Sequence, residues 1–163
     1  DLSDTDLTGA DLTGADLTGA KLTDADLSDT DLTRAFLTRA DMSRANLSYS
    51  NLTGADLGGA DLSGVTLSDT NLSVTNLSRA NLTRVILSDT NLTKANLFMA
   101  RLFDADLTNA DLTGANLSDA DLARAKLTGA DLTGADLTGA NLLSVVGADF
   151  SGALNIAPQY LKD

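Results

Sequence analysis

Four residue types are missing from this chain of 163 residues: cysteine, histidine, tryptophan and glutamate. The absence of Cys and His excludes thiolate and imidazole catalysis and the usual zinc and haem sites. No apolar run approaches the roughly 20 residues that a helix needs to cross a bilayer, and no signal peptide is recognisable. The sequence therefore predicts a soluble protein with no cofactor and no membrane contact, in a compartment that it does not specify.

All of the acidity comes from aspartate. The chain has 23 acidic residues against 11 Lys and Arg, which gives a net charge of −12. Aspartate and asparagine favour turns and hydrogen bonds to nearby backbone, whereas the missing glutamate is a good helix former. The composition indicates a turn-rich chain that does not bind nucleic acid directly.

Leucine occupies every fifth position from Leu2 to Leu142, and Met42 is the single exception in 29 positions. A period of five matches neither an α-helix nor a plain strand. The residue before each Leu is Asp or Asn in 23 of the 29 cases, the residue two before it is small, and the residue after it is usually Ser or Thr. Such a period indicates a repeat architecture.

Successive units read Asp6-Leu7-Thr8-Gly9-Ala10 and Asp11-Leu12-Thr13-Gly14-Ala15. They resemble the A(D/N)LXX motif of the pentapeptide-repeat family, and the resemblance extends to about residue 145. It implies an all-β fold, a right-handed quadrilateral parallel β-helix of about seven coils with Leu and the small residue inside. We expect a single domain, with the β-helix over residues 1–145 and a shifted repeat and C-terminal cap over residues 146–163. On its outward faces we expect ion pairs between neighbouring coils, such as Arg84 with Asp104.

The cap begins where the period breaks. A shifted copy of the repeat follows over residues 148–152. Pro158 suits the first turn of a short helix, and Tyr160 and Leu161 are expected to cover the last coil.

Catalysis has no candidate residues. The chain lacks a Gly-x-Ser-x-Gly elbow and a phosphate-binding loop, and its aspartates follow the repeat. Stacked carboxylates such as Asp11 and Asp31 could hold a cation, but solvated turn aspartates explain them better, so no metal site is predicted. A buried column of hydroxyls is predicted to bond to itself or to the turn backbone; its members are Thr30, Ser50, Thr70 and Thr90.

Three functions remain open. The resemblance is strongest to loop-free cyanobacterial members of the family, which favours a rigid scaffold or protein-interaction module. Other members bind DNA gyrase as mimics of duplex DNA and protect it from quinolones, but this chain has no inserted loop before residue 145 and only a short segment after Pro158. Identical Asp-Leu-Thr-Gly-Ala units at residues 6–20 and 131–140 would also suit an engineered consensus repeat without a biological role.

Two surfaces are predicted to bind partners. Phe98, Met99 and Phe103 form an apolar patch on an otherwise polar rod, which favours a protein contact, although the C-terminal tail could also cover this region. The second surface is the uncapped first layer of the core, where two copies could meet end to end as a homodimer, unless an upstream cap covers it. Its residues are Leu2, Leu7, Leu12 and Leu17.

Overall fold

A computed structural model describes residues 1–161. Parallel backbone bridges join residues that are 20 positions apart, from Asp6 with Asp26 to Lys126 with Val146. Each coil therefore contains 20 residues, or four sides of five, and each strand is a single bridging residue. The one helix within residues 1–161 is the 3-10 turn Pro158–Tyr160. The prediction of a right-handed quadrilateral β-helix is confirmed.

Coils are numbered here in blocks of twenty, and the sides within a coil are numbered 1 to 4 in chain order. Side 1 of the first coil is residues 1–5, and side 4 is residues 16–20. Residues separated by 20 stack in one column along the rod. With parallel strands about 4.8 Å apart, seven coils form a rod roughly 35 Å long.

Every side ends in a tight turn. In the second side, the Ala10 N–H donates to the Leu7 carbonyl at 3.0 Å, and the third residue of the turn, Gly9, has a φ of 68°. This geometry corresponds to a type II turn, which requires a positive φ at its third residue. The Asp6 carboxylate fixes the turn by accepting the Thr8 N–H at 3.0 Å.

The inward column forms a continuous core. Every fifth residue from Leu22 to Leu142 is buried, and alanines fill the space between neighbouring sides. The prediction that all Leu side chains lie inside is wrong for the first coil, whose four leucines are only partly buried. The reason is that one neighbouring coil covers them instead of two.

The buried hydroxyls bond to the turn backbone, as predicted. Thr30 Oγ1 donates to the Leu27 carbonyl at 2.6 Å, and Thr70 Oγ1 donates to the Leu47 carbonyl at 2.9 Å. Over residues 1–161, no buried side-chain nitrogen or oxygen lacks a hydrogen-bond partner. These hydroxyls therefore replace Ala without leaving a desolvated polar group unpaired.

The register changes at the C-terminal end. Asp136 bridges to Leu154, 18 positions further on. Phe150 takes the place of the usual Leu. The Ala153 N–H donates to the Phe150 carbonyl at 3.1 Å, which is the turn bond that follows each Leu in the regular repeats. Tyr160 packs against the core, but Leu161 is 55% exposed, so the prediction that Leu161 covers the last coil is wrong. The helical turn is too short to bring it back, since Leu161 already has extended backbone.

Candidate interaction surface

The outward side chains are held on a fixed backbone. The third turn residue of each side has a positive φ and is mostly exposed. On most sides its N–H donates to the next coil, as Arg79 does to the Phe98 carbonyl at 2.8 Å. A positive φ costs non-Gly residues energy, yet 20 non-Gly residues among residues 1–161 adopt it. The repeat thus provides a regular array of positions whose side chains vary without disturbing the core.

The predicted apolar patch lies on two neighbouring sides. Phe98 and Met99 belong to side 4 of the fifth coil, and Phe103 belongs to side 1 of the sixth. Met99 is 43% exposed, while Phe98 and Phe103 are half-buried. All three stay accessible, and their binding role remains a prediction.

Phe103 is part of a charged cluster that runs across three coils. The Arg124 guanidinium lies 5.3 Å from the centre of the Phe103 ring, and its Nε is 2.9 Å from Asp104 Oδ1. Arg84 Nε is 4.0 Å from Asp104 Oδ2, which confirms the predicted Arg84 pair. The aromatic ring therefore lies beside one guanidinium group, and the Asp104 carboxylate is shared between Arg84 and Arg124.

Positive charge is concentrated in the middle of the rod. Residues 70–103, named here the central belt, contain four of the 11 Lys and Arg but one of the 23 acidic residues, Asp89. The four cations are all exposed: Arg79, Arg84, Lys94 and Arg101. Among residues 1–161, only Arg84 of these four forms an ion pair. The acidic rod is thus divided by a basic segment.

The opposite pattern appears on side 2. Its third turn position carries Asp29, Asp69 and Asp89, together with the 66% exposed Tyr49.

Most other carboxylates belong to the residue before Leu, and they accept hydrogen bonds within their own turn. The Ser28 hydroxyl and then its N–H lower the pKa of Asp26, and both donate to Asp26 Oδ1, at 2.7 and 3.0 Å. Such carboxylates are turn acceptors rather than members of an acid–base pair.

The other predicted surface lies at the start of the rod. Leu2, Leu7, Leu12 and Leu17 form one layer there, and it is partly exposed. The C-terminal end has a cavity of about 710 Å³ between residues 142–151 and residues 159–161.

No cluster of three or more His, Cys, Asp or Glu side chains suited to a metal ion occurs over residues 1–161. In the same part of the chain, no helix has the length and apolar character that crossing a membrane requires.

A family model described as pentapeptide repeats (8 copies) matches residues 1–39, 25–64, 60–97 and 100–142. The chain belongs to the pentapeptide-repeat family. This membership agrees with the side and coil geometry described above. No curated protein matched the chain.

Two solved structures of pentapeptide-repeat folds are similar to it. HetL, a pentapeptide repeat protein involved in heterocyst differentiation regulation from the cyanobacterium Nostoc sp. strain PCC 7120, is 32% identical, with a TM-score of 0.65 over 88% of this chain and 83% of HetL. A trypsin-treated form of QnrB1, a plasmid-mediated fluoroquinolone resistance protein, is 24% identical, with a TM-score of 0.60 over 90% of this chain and 78% of QnrB1. The QnrB1 likeness shows the fold alone.

Proposed function

We propose that this pentapeptide-repeat rod is a non-catalytic scaffold that binds a protein partner through Phe98, Met99 and Phe103. The supporting observation is a pair of phenylalanines at the turn position after Leu, where 24 of the 29 repeats have Ser or Thr. At that position a hydroxyl bonds the preceding Asp or Asn, as Ser118 Oγ donates to Asn116 Oδ1 at 2.6 Å.

A phenylalanine at this position cannot form that hydrogen bond, and neither Phe98 nor Phe103 is fully buried. The Phe98 N–H still donates to Asn96 Oδ1 at 3.2 Å, so the turn is kept, but the ring is half-buried. An aromatic ring that neither enters the core nor completes the turn network is well suited to an intermolecular contact, since aromatic residues are enriched at protein interfaces.

The test uses a variant in which the three patch residues are replaced by residues that are common at the same repeat positions. In the triple variant Phe98→Ser, Met99→Gly, Phe103→Thr, each new residue already occurs at the same repeat position elsewhere. We expect unchanged or higher thermal stability, together with at least about a halving of the fluorescence of the apolar dye anilinonaphthalene sulfonate bound to the folded protein. A matched Tyr49→Gly variant should leave the signal unchanged. Equal dye signals from the wild type and the triple variant would contradict the proposal.

A second candidate function is protection of DNA gyrase by imitation of duplex DNA. The net charge of −12 and the fold shared with the fluoroquinolone resistance protein QnrB1 favour it. The central belt argues against it, because four cations interrupt the acidic surface that a DNA mimic requires.

A supercoiling assay separates the two candidates. The scaffold proposal expects DNA gyrase to keep its full supercoiling rate, with and without a quinolone, at protein concentrations up to tens of micromolar. Inhibition or protection that is lost in the variant Asp29→Asn, Asp69→Asn, Asp89→Asn would instead support DNA mimicry.

A further inference from the structure

We propose that the central belt recognises a short acidic polypeptide segment that also carries a large apolar side chain. This inference rests on the proposed function and specifies the chemistry of the partner. It follows from two features that coincide in the central belt: guanidinium groups without carboxylate partners and apolar side chains that are not buried in the core.

The cations are available for binding. Arg79 and Arg101 are exposed and form no ion pair within residues 1–161. The Arg79 N–H donates to the Phe98 carbonyl at 2.8 Å, so the two side chains start from directly neighbouring backbone positions in adjacent coils. Guanidinium binds carboxylates with two parallel hydrogen bonds. A ligand that carries carboxylate groups would therefore pair with these arginines.

Apolar residues lie among these cations. Phe98 and Met99 occupy side 4 of the fifth coil, beside Arg79, and the Arg84 N–H donates to the Phe103 carbonyl at 3.0 Å. Side 4 of the fourth and fifth coils, residues 76–80 and 96–100, contains no acidic residue. A ligand with alternating carboxylate and apolar side chains would satisfy both kinds of group at once.

The extent of the surface favours a short peptide over nucleic acid. Two coils span only about 10 Å along the rod, and acidic residues flank the belt on both sides, with Asp69 before it and Asp104 after it. A nucleic-acid strand that continued along the rod would meet these carboxylates within about one Debye length, 8 Å at physiological ionic strength. A short segment can instead end within the belt.

The test uses labelled twelve-residue peptides and fluorescence anisotropy. One peptide alternates Glu with Leu and Phe, a second replaces Glu by Gln, and a third replaces Glu by Lys. The key protein variant is Arg79→Glu. Its matched control is Arg39→Glu, because Arg39 lies in the same column two coils earlier, is also exposed and has the same φ of 59°.

We expect the Glu peptide to bind at least about tenfold more tightly than the other two. Arg79→Glu should weaken its binding by about tenfold or more, whereas Arg39→Glu, with the same change in net charge, should alter it by less than about twofold. Phe98→Ser should also weaken it while leaving thermal stability unchanged, since serine is the residue above and below in that column.

Three results would overturn the inference. Equal binding of the Glu and Gln peptides, lost on Phe98→Ser, would leave the apolar contact surface in place but remove the acidic preference. Binding of a single-stranded oligonucleotide as tight as that of the Glu peptide would indicate nucleic acid. No peptide binding, with concentration-dependent self-association abolished by Arg79→Glu, would show that a second copy occupies the belt.

Discussion

Val74 has a backbone conformation that suits its side chain poorly. Its φ is 59°, and a β-branched residue at positive φ is a genuine outlier. The side chain is 60% exposed, so packing gives little in return. The residue one coil earlier in the same column is Gly54, with a φ of 68° and no such strain.

Replacing Val74 by Gly should therefore stabilise the protein by about 1 kcal/mol, which raises the midpoint of thermal unfolding by about 2–4 °C. The reverse change in the same column, Gly54→Val, should lower it by a similar amount. Calorimetry of both variants gives the answer. A lower midpoint for Val74→Gly would mean that the exposed isopropyl group makes a contact that outweighs the strain.

At the scale of the five-residue side, inward and outward positions differ sharply. Leu72 is 1% exposed and Val74, two residues later, is 60% exposed. The same new side chain placed at each position isolates this difference, because Lys94 already occupies the Val74 column in the next coil with a φ of 55°.

Leu72→Lys should cost at least about 3–5 kcal/mol, since it removes a buried leucine and places a charge in a dry core. Val74→Lys should change the free energy of unfolding by less than about 0.5 kcal/mol. Urea unfolding measures both values. Similar losses in the two variants would refute the assignment of the two positions.

The turn carboxylates make stability depend on pH. The side-chain amide of Asn155 and then the Thr138 hydroxyl lower the pKa of Asp136 from 3.8 to about 2. The Ser28 hydroxyl likewise lowers the pKa of Asp26. A folded pKa below the unfolded one contributes stability that is complete above the unfolded pKa and disappears as pH falls through the folded pKa.

We expect a constant unfolding midpoint above about pH 5 and a falling one between pH 3.8 and about 2. Asp136→Asn removes the titrating charge and should reduce the fall, because the stability that the ionised carboxylate contributes is then already absent at neutral pH. Thermal melts in a series of buffers measure this dependence. A midpoint that rises on acidification would mean that relief of repulsion between stacked aspartates dominates.

Sequence reasoning predicted the coil because Leu and Ala alternate with turn residues at a fixed period. It could not predict the exposure of Leu161, which depends on where a three-residue helical turn ends. It also missed Arg124 over the Phe103 ring, because that contact joins residues 21 positions apart, just outside one column. The central belt was visible as missing aspartate, but only when residues are grouped by coil rather than by column.

At the scale of the whole rod, the two ends differ. The first coil has partly exposed leucines, while Phe150 and Tyr160 pack against the core at the other end. Burial of an apolar layer favours association. The end-to-end homodimer through Leu2, Leu7, Leu12 and Leu17 stays a prediction.

Sedimentation over a range of concentrations should show a dimer that Leu7→Asp weakens by at least about tenfold in Kd. Asp11→Asn, an exposed change in the same coil, should have no effect. A mass that is monomeric at every concentration and unaffected by Leu7→Asp would exclude this contact.

The central claim is that a rigid rod binds its partner through the central belt. Backbone hydrogen exchange, measured with and without the acidic peptide, tests this claim most directly. Binding should slow exchange in the turns of residues 78–79, 83–84 and 98–103 and leave residues 2–17 and 142–161 unchanged. Slowing confined to either end of the rod, or spread evenly along it, would contradict the account.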